Sequence, residues 1–240
     1  MRAQRLGQVK KGDRVALVTG GAVRVGRAIA LALARAGMRV AISYHRSARA
    51  ARATVRDLES LGTDAAAFGA DLRDPAQGAR LVARAIARFG RIDVLVNSAA
   101  AFYRTPFGST TLAQYNDLLD LNLRGAFFCA QAAARRMRTG HIVNIGDIGG
   151  DRIWPGYIPY TLSKAGIATL TRGLAIALAP RIAVNCVAPG AVLRPRGFPL
   201  AQWERLTRGS PAGVEEVAHA VVFFATCPRA ITGQILGVGR

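Results

Sequence analysis

The sequence predicts a three-layer α/β/α fold built on a doubly wound parallel sheet of about seven strands. Three observations predict it. Short apolar runs rich in Val and Ile alternate with helix-length segments along the chain. Gly, Asp, Asn or Pro bounds the runs, as expected of strands buried on both faces. No linker or repeat interrupts the alternation. In order, residues 15–19 form the first strand and 25–36 the first helix. Residues 39–43 and 48–61 follow as the second pair. Residues 65–69 lead into a helix over 75–89, with Pro75 in its first turn, where no hydrogen bond is lost. Residues 92–96 precede a helix over 122–137, and 141–145 precede one over 159–178. Residues 182–188 and 235–238 complete the sheet. Right-handed crossovers gather the strand ends, and any ligand, along one carboxyl edge. One domain over 13–240 is expected, after a basic extension over 1–12.

Composition narrows the class. A chain of 240 residues, 51% hydrophobic, can bury about three quarters of its unfolded surface. Cys129, Cys186 and Cys227 are far apart and odd in number, against a disulfide framework or a structural zinc site, and no metal is expected. They read as buried small residues of a cytoplasmic protein. The basic start leads into no apolar segment, and no run of about 18 apolar residues follows, so no membrane partner is expected. The net charge of +19 raises nucleic-acid binding. Lysine occurs only at Lys10, Lys11 and Lys164, however, and the arginines are scattered rather than gathered in a stripe. That distribution reads as a solvated surface suited to polyanionic small molecules, not a nucleic-acid site.

Directly after the first strand, Thr19-Gly20-Gly21-Ala22-Val23-Arg24-Val25-Gly26 opens a helix. There backbone amides and the helix dipole can hold a pyrophosphate, with Gly20, Val25 and Gly26 at the contact. Arg24 can aim its fork at phosphate or at a planar substrate, or fold back on its own helix. The second strand ends in Tyr44-His45-Arg46-Ser47, with no carboxylate for a ribose 2′-hydroxyl. His45, Arg46 and Ser47 suit a 2′-phosphate instead, so the expected cofactor is NADP(H). Asp71-Leu72 and Asn97-Ser98-Ala99 fall at the same edge, beside the adenine and its ribose. Asp71 could accept from the adenine amino group or cap the helix beginning near Pro75.

Tyr160 and Lys164 stand one helical turn apart and face the same way. An ammonium beside a phenol favours the phenolate, lowering a pKa that starts near about 10. The glycine turn, Asn97-Ser98-Ala99, Asn122, Tyr160, Lys164 and Pro189-Gly190 together resemble the short-chain dehydrogenase/reductase family over nearly the whole chain. The resemblance implies a Rossmann-like fold with Tyr160 as proton donor and Pro189 and Gly190 at the cofactor. Lys164 would bind the nicotinamide ribose and lower the tyrosine pKa. Asn122 would support a proton-relay water.

Where that family places a serine, thirteen residues before the tyrosine, this chain has Asp147. With Arg24, the Tyr44-His45-Arg46-Ser47 loop and Phe102-Tyr103, it resembles the pteridine reductase branch. That resemblance implies proton delivery to a pterin by Asp147 and Tyr160, and a substrate ring stacked on Phe102 beside Arg24. The chain departs from the branch at Ala100 and Ala101, where serines are usual, and in its ending Val238-Gly239-Arg240. Residues 191–213 should cover the substrate as a lid, with Phe198, Leu200 and Trp203 among Arg194, Arg196, Arg205 and Arg208. These arginines are solvated or bind an anionic tail such as a folate glutamate. The expectation is an NADPH-dependent reductase of a dihydropteridine or dihydrofolate, assembled as a homotetramer. One alternative is a carbonyl reductase of 3-oxoacyl or other ketone substrates. Another, of a different class, is a nucleic-acid or partner-binding protein with a dinucleotide sensor site.

Overall fold

The computed structural model describes residues 13–148, 154–194, 198–207 and 213–239. The basic extension and the expected lid residues Arg196 and Arg208 lie outside the described residues. Seven strands, β1 (Val15–Val18), β2 (Arg39–Tyr44), β3 (Ala65–Gly69), β4 (Val94–Asn97), β5 (Gly140–Ile145), β6 (Ile182–Pro189) and β7 (Ile235–Val238), form one parallel sheet in the order 3-2-1-4-5-6-7. The order reverses between β1 and β4, and the crevice outside their carboxyl ends is where such sheets bind ligands.

Alternate residues of each strand serve opposite layers. Val18, Val40, Val94, Val96 and Val143 face the layer of α1 (Arg24–Arg35), α2 (Ala48–Ser60) and α8 (Val214–Thr226). Leu17, Ala41, Leu95, Ile142 and Val184 face the layer that includes α3 (Pro75–Phe89), α5 (Gly125–Ala134) and α6 (Ile158–Leu178). Leu17, Leu95 and Ile142 are fully buried, each stabilising the fold by about 1.5–3 kcal/mol. The three cysteines are buried as well. No helix among the described residues is long and apolar enough to cross a membrane.

Helix α3 runs as the sequence predicts. Asp74 caps it by accepting from the Ala76 N–H at 2.8 Å, and Gly90, at φ 81°, ends it. The helix expected over 122–137 is different. Helix α4 (Leu112–Leu119) begins earlier behind a Thr111–Gln114 capping box, and a π turn over Asp120–Arg124 joins it to α5. Helices α7 (Leu200–Thr207) and α8 were not expected; α8 supplies the crossover from β6 to β7.

At the amino edge of the sheet, Asp93 accepts from the Val15 N–H at 2.9 Å and pairs with Arg91 at 2.6 Å. His141, the second residue of β5, is 6% exposed. Burial and the charges of Arg14 and Arg229 push its pKa down to about 4, against a backbone hydrogen bond to Phe224.

Candidate functional site

The carboxyl ends of β1, β4, β5 and β6 open on a cleft of about 620 Å³, within the usual range for small ligands. Its floor is backbone. Gly20 sits at φ 64°, and a side chain there would come 2.9 Å from the Ala99 Cα. One at Gly26 would fall 2.3 Å from the Gly20 carbonyl oxygen, so both positions exclude a Cβ. The Gly20 N–H donates to Ser43 Oγ at 3.1 Å, while Thr19 Oγ1 accepts from the Ser98 and Ala99 N–H groups at 2.9 and 3.1 Å. The turn is thus pinned on both sides. Helix α1 starts after Val23 with no side-chain cap, so its first N–H groups and its dipole are left to an anion.

Arg24 has φ 53°, a conformation side chains rarely adopt. It lines the cleft with Val25 and Gly26, and its Nη2 donates to the Leu193 and Arg194 carbonyls at 2.9 and 3.2 Å. The fork therefore holds the loop after β6 and does not fold back on α1.

His45, Ser47, Asp71, Leu72 and Arg73 line the far end of the cleft. Arg46 lies outside it, lining an adjoining hollow with His45, Ser47 and Asp71. Asp71 does not cap α3, since Asp74 does. Its carboxylate accepts from the Arg73 N–H at 3.1 Å and Nη1 at 3.0 Å, with His45 Nε2 at 3.6 Å. Burial would raise its pKa, but the Arg73 hydrogen bonds and the Arg73 and His45 charges bring it below the ordinary carboxylate value. Arg73 also pairs with Asp117 at 2.6 Å, and Asp117 accepts from the Tyr103 hydroxyl at 2.8 Å. Burial and Asp117 push that phenol up to about 12, so Tyr103 serves as a tie.

The reactive groups sit past β5. Tyr160 donates to Asp147 Oδ2 at 2.5 Å. Both line the cleft with Lys164, Pro189 and Gly190. Burial first, then the Asp147 charge and hydrogen bond, hold the Tyr160 pKa well above its ordinary value. This corrects the expectation that Lys164 lowers it. The Lys164 Nζ donates to the Ile145 carbonyl at 2.9 Å and lies 5.8 Å from the Tyr160 ring centroid. Burial lowers the pKa of Lys164 itself, against the pull of Asp147. Lost water and a carboxylate at 2.5 Å outweigh an ammonium turned toward a carbonyl.

Phe102 lines the cleft and meets Tyr160 edge-on, with centroids 4.7 Å apart at 86°. Its ring is stacked on Tyr157 at 4.7 Å and 10°. Trp203, on α7, also lines the cleft and packs edge-on against Phe198.

Two further expected residues do not line it. Asn97 points the other way, donating to Asn144 Oδ1 at 2.9 Å and the Ala126 carbonyl at 3.2 Å. Strand alternation puts it, like Leu95, on the α3/α5 face. It fastens β4 to β5 and α5; Ser98 and Ala99 reach the cleft without it. The Asn122 side chain accepts from the Ala101 N–H at 2.8 Å, and donates to the Ala101 carbonyl at 3.0 Å and Ser163 Oγ at 3.1 Å. Its amide secures the segment before Phe102 to α6. Sequence reasoning missed Ser43, Arg73, Trp154 and Tyr157. Only Tyr157 carried a signal, as a second tyrosine one turn before Tyr160.

A family model described as Enoyl-(Acyl carrier protein) reductase matches residues 21–239. The chain is 38% identical to a 3-oxoacyl-(acyl-carrier-protein) reductase of Synechocystis sp. over 94% of its length and 95% of the relative's. It is 34% identical to 3-oxoacyl-(acyl-carrier-protein) reductase FabG of Staphylococcus aureus over 95% of its length and 97% of that protein's. Among solved structures, a short chain dehydrogenase of Burkholderia cenocepacia in complex with NADP superposes with a TM-score of 0.89 at 35% identity, covering 96% of this chain and 98% of that one. With the Tyr160–Lys164 pair set over the glycine turn of such a sheet, the chain belongs to the short-chain dehydrogenase/reductase family of NAD(P)-dependent oxidoreductases.

Proposed function

We propose that the protein is an NADPH-dependent reductase that adds a hydride and a proton across a C=N bond of a pterin, working as one domain over residues 13–240. The observation that carries this reading is the Asp147 carboxylate 2.5 Å from the Tyr160 hydroxyl, beside the Phe102 ring.

The residues fit the cofactor. The uncapped start of α1 and the Gly20–Gly26 cradle suit a pyrophosphate. His45, Arg46 and Ser47, with no carboxylate closing β2, suit a 2′-phosphate. Asp71 would accept from the adenine amino group, and Lys164 would hold the nicotinamide ribose. When bound, NADPH supplies the hydride. Among its solved relatives are complexes with NADP and NADPH.

A flat ring laid on Phe102 gains roughly 0.5–1.5 kcal/mol from stacking. The back of Phe102 is already supported by Tyr157, so the platform is rigid. When a carbon of the ring takes the hydride, the adjoining nitrogen takes a proton from the Tyr160 hydroxyl. The Asp147 carboxylate, bonded to that same oxygen, aims the hydroxyl at the ring, and the phenolate left behind regains its proton from solvent before the next turnover. A phenol whose pKa is held high keeps its proton until the substrate nitrogen becomes the stronger base.

A second reading is reduction of 3-oxoacyl substrates, with Asp147 in place of the family's serine. The relatives named as 3-oxoacyl reductases favour it, and by similarity alone it is the stronger. The pterin reading stands first here because a carboxylate can accept from a ring amino group, which a 3-oxoacyl ketone does not carry. NADPH oxidation with dihydrobiopterin, dihydrofolate and acetoacetyl-CoA separates the two, with Asp147→Ser alongside. Pterin turnover that falls in Asp147→Ser is expected. Acetoacetyl-CoA turnover without pterin turnover makes it a ketone reductase. The same proposal takes the protein as a homotetramer, supported by exposed Phe127, Leu162 and Ile176 on α5 and α6; light scattering gives the mass.

A further inference from the structure

The main cleft shares the side chains of Trp154 and Phe198 with a second hollow of about 340 Å³. Arg104, Pro155, Gly156, Tyr157 and Gln202 complete its walls. Three of the seven are aromatic. Tyr157 is the ring stacked on Phe102, and Trp154 meets Tyr157 edge-on at 5.7 Å. The aromatic surface is therefore continuous from the platform beside Tyr160 into the hollow.

Arg104 supplies the only charge among the described residues that line it. Its Nε lies 3.3 Å from where a side chain on Gly156 would begin, so its arm rests on the Gly156 backbone. The Thr105 N–H donates to the Gly156 carbonyl at 2.7 Å, and Thr105 and Tyr157 form a parallel bridge. The cation is thus carried on a segment tied to the aromatic wall. Arg194 of the lid is placed otherwise, donating to the Phe198 carbonyl at 2.9 Å.

An aromatic slot that ends in a guanidinium suits a stem that stacks and a tip that is a carboxylate. We propose that this hollow is a substrate subsite, in which an aryl arm on the reduced ring lies against Tyr157 and Trp154 and its terminal carboxylate pairs with Arg104. Resting on the pterin reading, it makes the substrate class a pterin with an aryl-carboxylate arm, as in dihydrofolate, over one with a short neutral side chain.

The test compares dihydrofolate with dihydrobiopterin in the wild type, R104Q and R104K. Removing the charge should lower the ratio of kcat/KM for dihydrofolate to that for dihydrobiopterin about tenfold, through KM, the size of one charge-assisted contact. R104K should recover part of it, and added salt should erode the wild-type preference. An unchanged ratio in R104Q overturns the subsite. Calorimetric titration with p-aminobenzoylglutamate, which has the arm but no pterin, needs no turnover. Binding that is lost in R104Q upholds the subsite even if neither pterin is reduced, and only the pterin reading then fails. No binding to the wild type overturns the subsite.

Discussion

At its amino end β5 carries His141, shut in beneath α8 with Arg14 and Arg229 nearby and no partner for its Nδ1. Just past its carboxyl end stands Asp147, bonded to a buried phenol at the rim of the cleft. Loss of water moves the pKa at both ends, down for the imidazole and up for the phenol. The neighbours differ. Cations around His141 reinforce burial and hold the ring neutral, so the group adds only a liability in acid. The Asp147 carboxylate reinforces burial of Tyr160 and keeps a proton where a substrate can meet it. The comparison teaches that a displaced pKa marks chemistry only where the group also has access to a ligand.

The largest effect expected from breaking this contrast is at the carboxyl end. Tyr160→Phe should lower kcat/KM about a thousandfold, within the range for a lost proton donor, in steady-state NADPH oxidation. Asp147→Asn comes next, with turnover of a pterin down roughly tenfold to a hundredfold. It also removes the charge that helps raise the Tyr160 pKa. Activity requires protonated Tyr160, so the alkaline limb of the pH–rate profile should move to lower pH in this variant. An unmoved limb would separate Asp147 from proton delivery.

The amino end should respond in stability alone. His141 binds its proton less readily folded, at about 4, than its ordinary 6.5. Between those values the unfolded chain binds a proton that the fold refuses. Its contribution is therefore intact above pH 6.5 and lost as pH falls toward 4, up to roughly 3 kcal/mol. Urea unfolding at pH 7 and pH 5 should show a smaller drop in His141→Leu than in the wild type. Asp93→Ala should cost about 2 kcal/mol by leaving the Val15 N–H unpaired and the Arg91 pair broken, with kcat unchanged.

Much of this was legible in the residues. Strands β3 and β7 and helix α3 start and stop where composition predicts, because Gly, Pro and Asp punctuate them. The cofactor cradle was legible because it is local: a strand, a glycine turn and a helix start within a dozen residues. What escaped was non-local or non-standard. The π turn at Asp120–Arg124 leaves no mark in a helical apolar pattern, yet it forms the backbone around Asn122, whose amide reaches Ala101. The ties Arg73–Asp117 and Tyr103–Asp117 join segments whose pairing no local spacing encodes. Asn97 misled because a residue at a strand's ligand-side end can still point into a helix layer. Helix α8 was passed over because the reading ended its lid at Gly213, although Val217, Val221 and Phe224 repeat at helical spacing.

Arg24 has one more consequence. Its backbone at φ 53° is the kind glycine adopts freely, and such strain in a non-glycine residue costs about 1–3 kcal/mol. Glycine would relieve that strain, but it would free the unfolded chain and give up the fork on the Leu193 and Arg194 carbonyls, so the effects offset. Arg24→Gly should therefore melt near the wild-type temperature while the loop after β6 loses its tether, making heat tolerance and closure of the cleft separable properties of a single side chain.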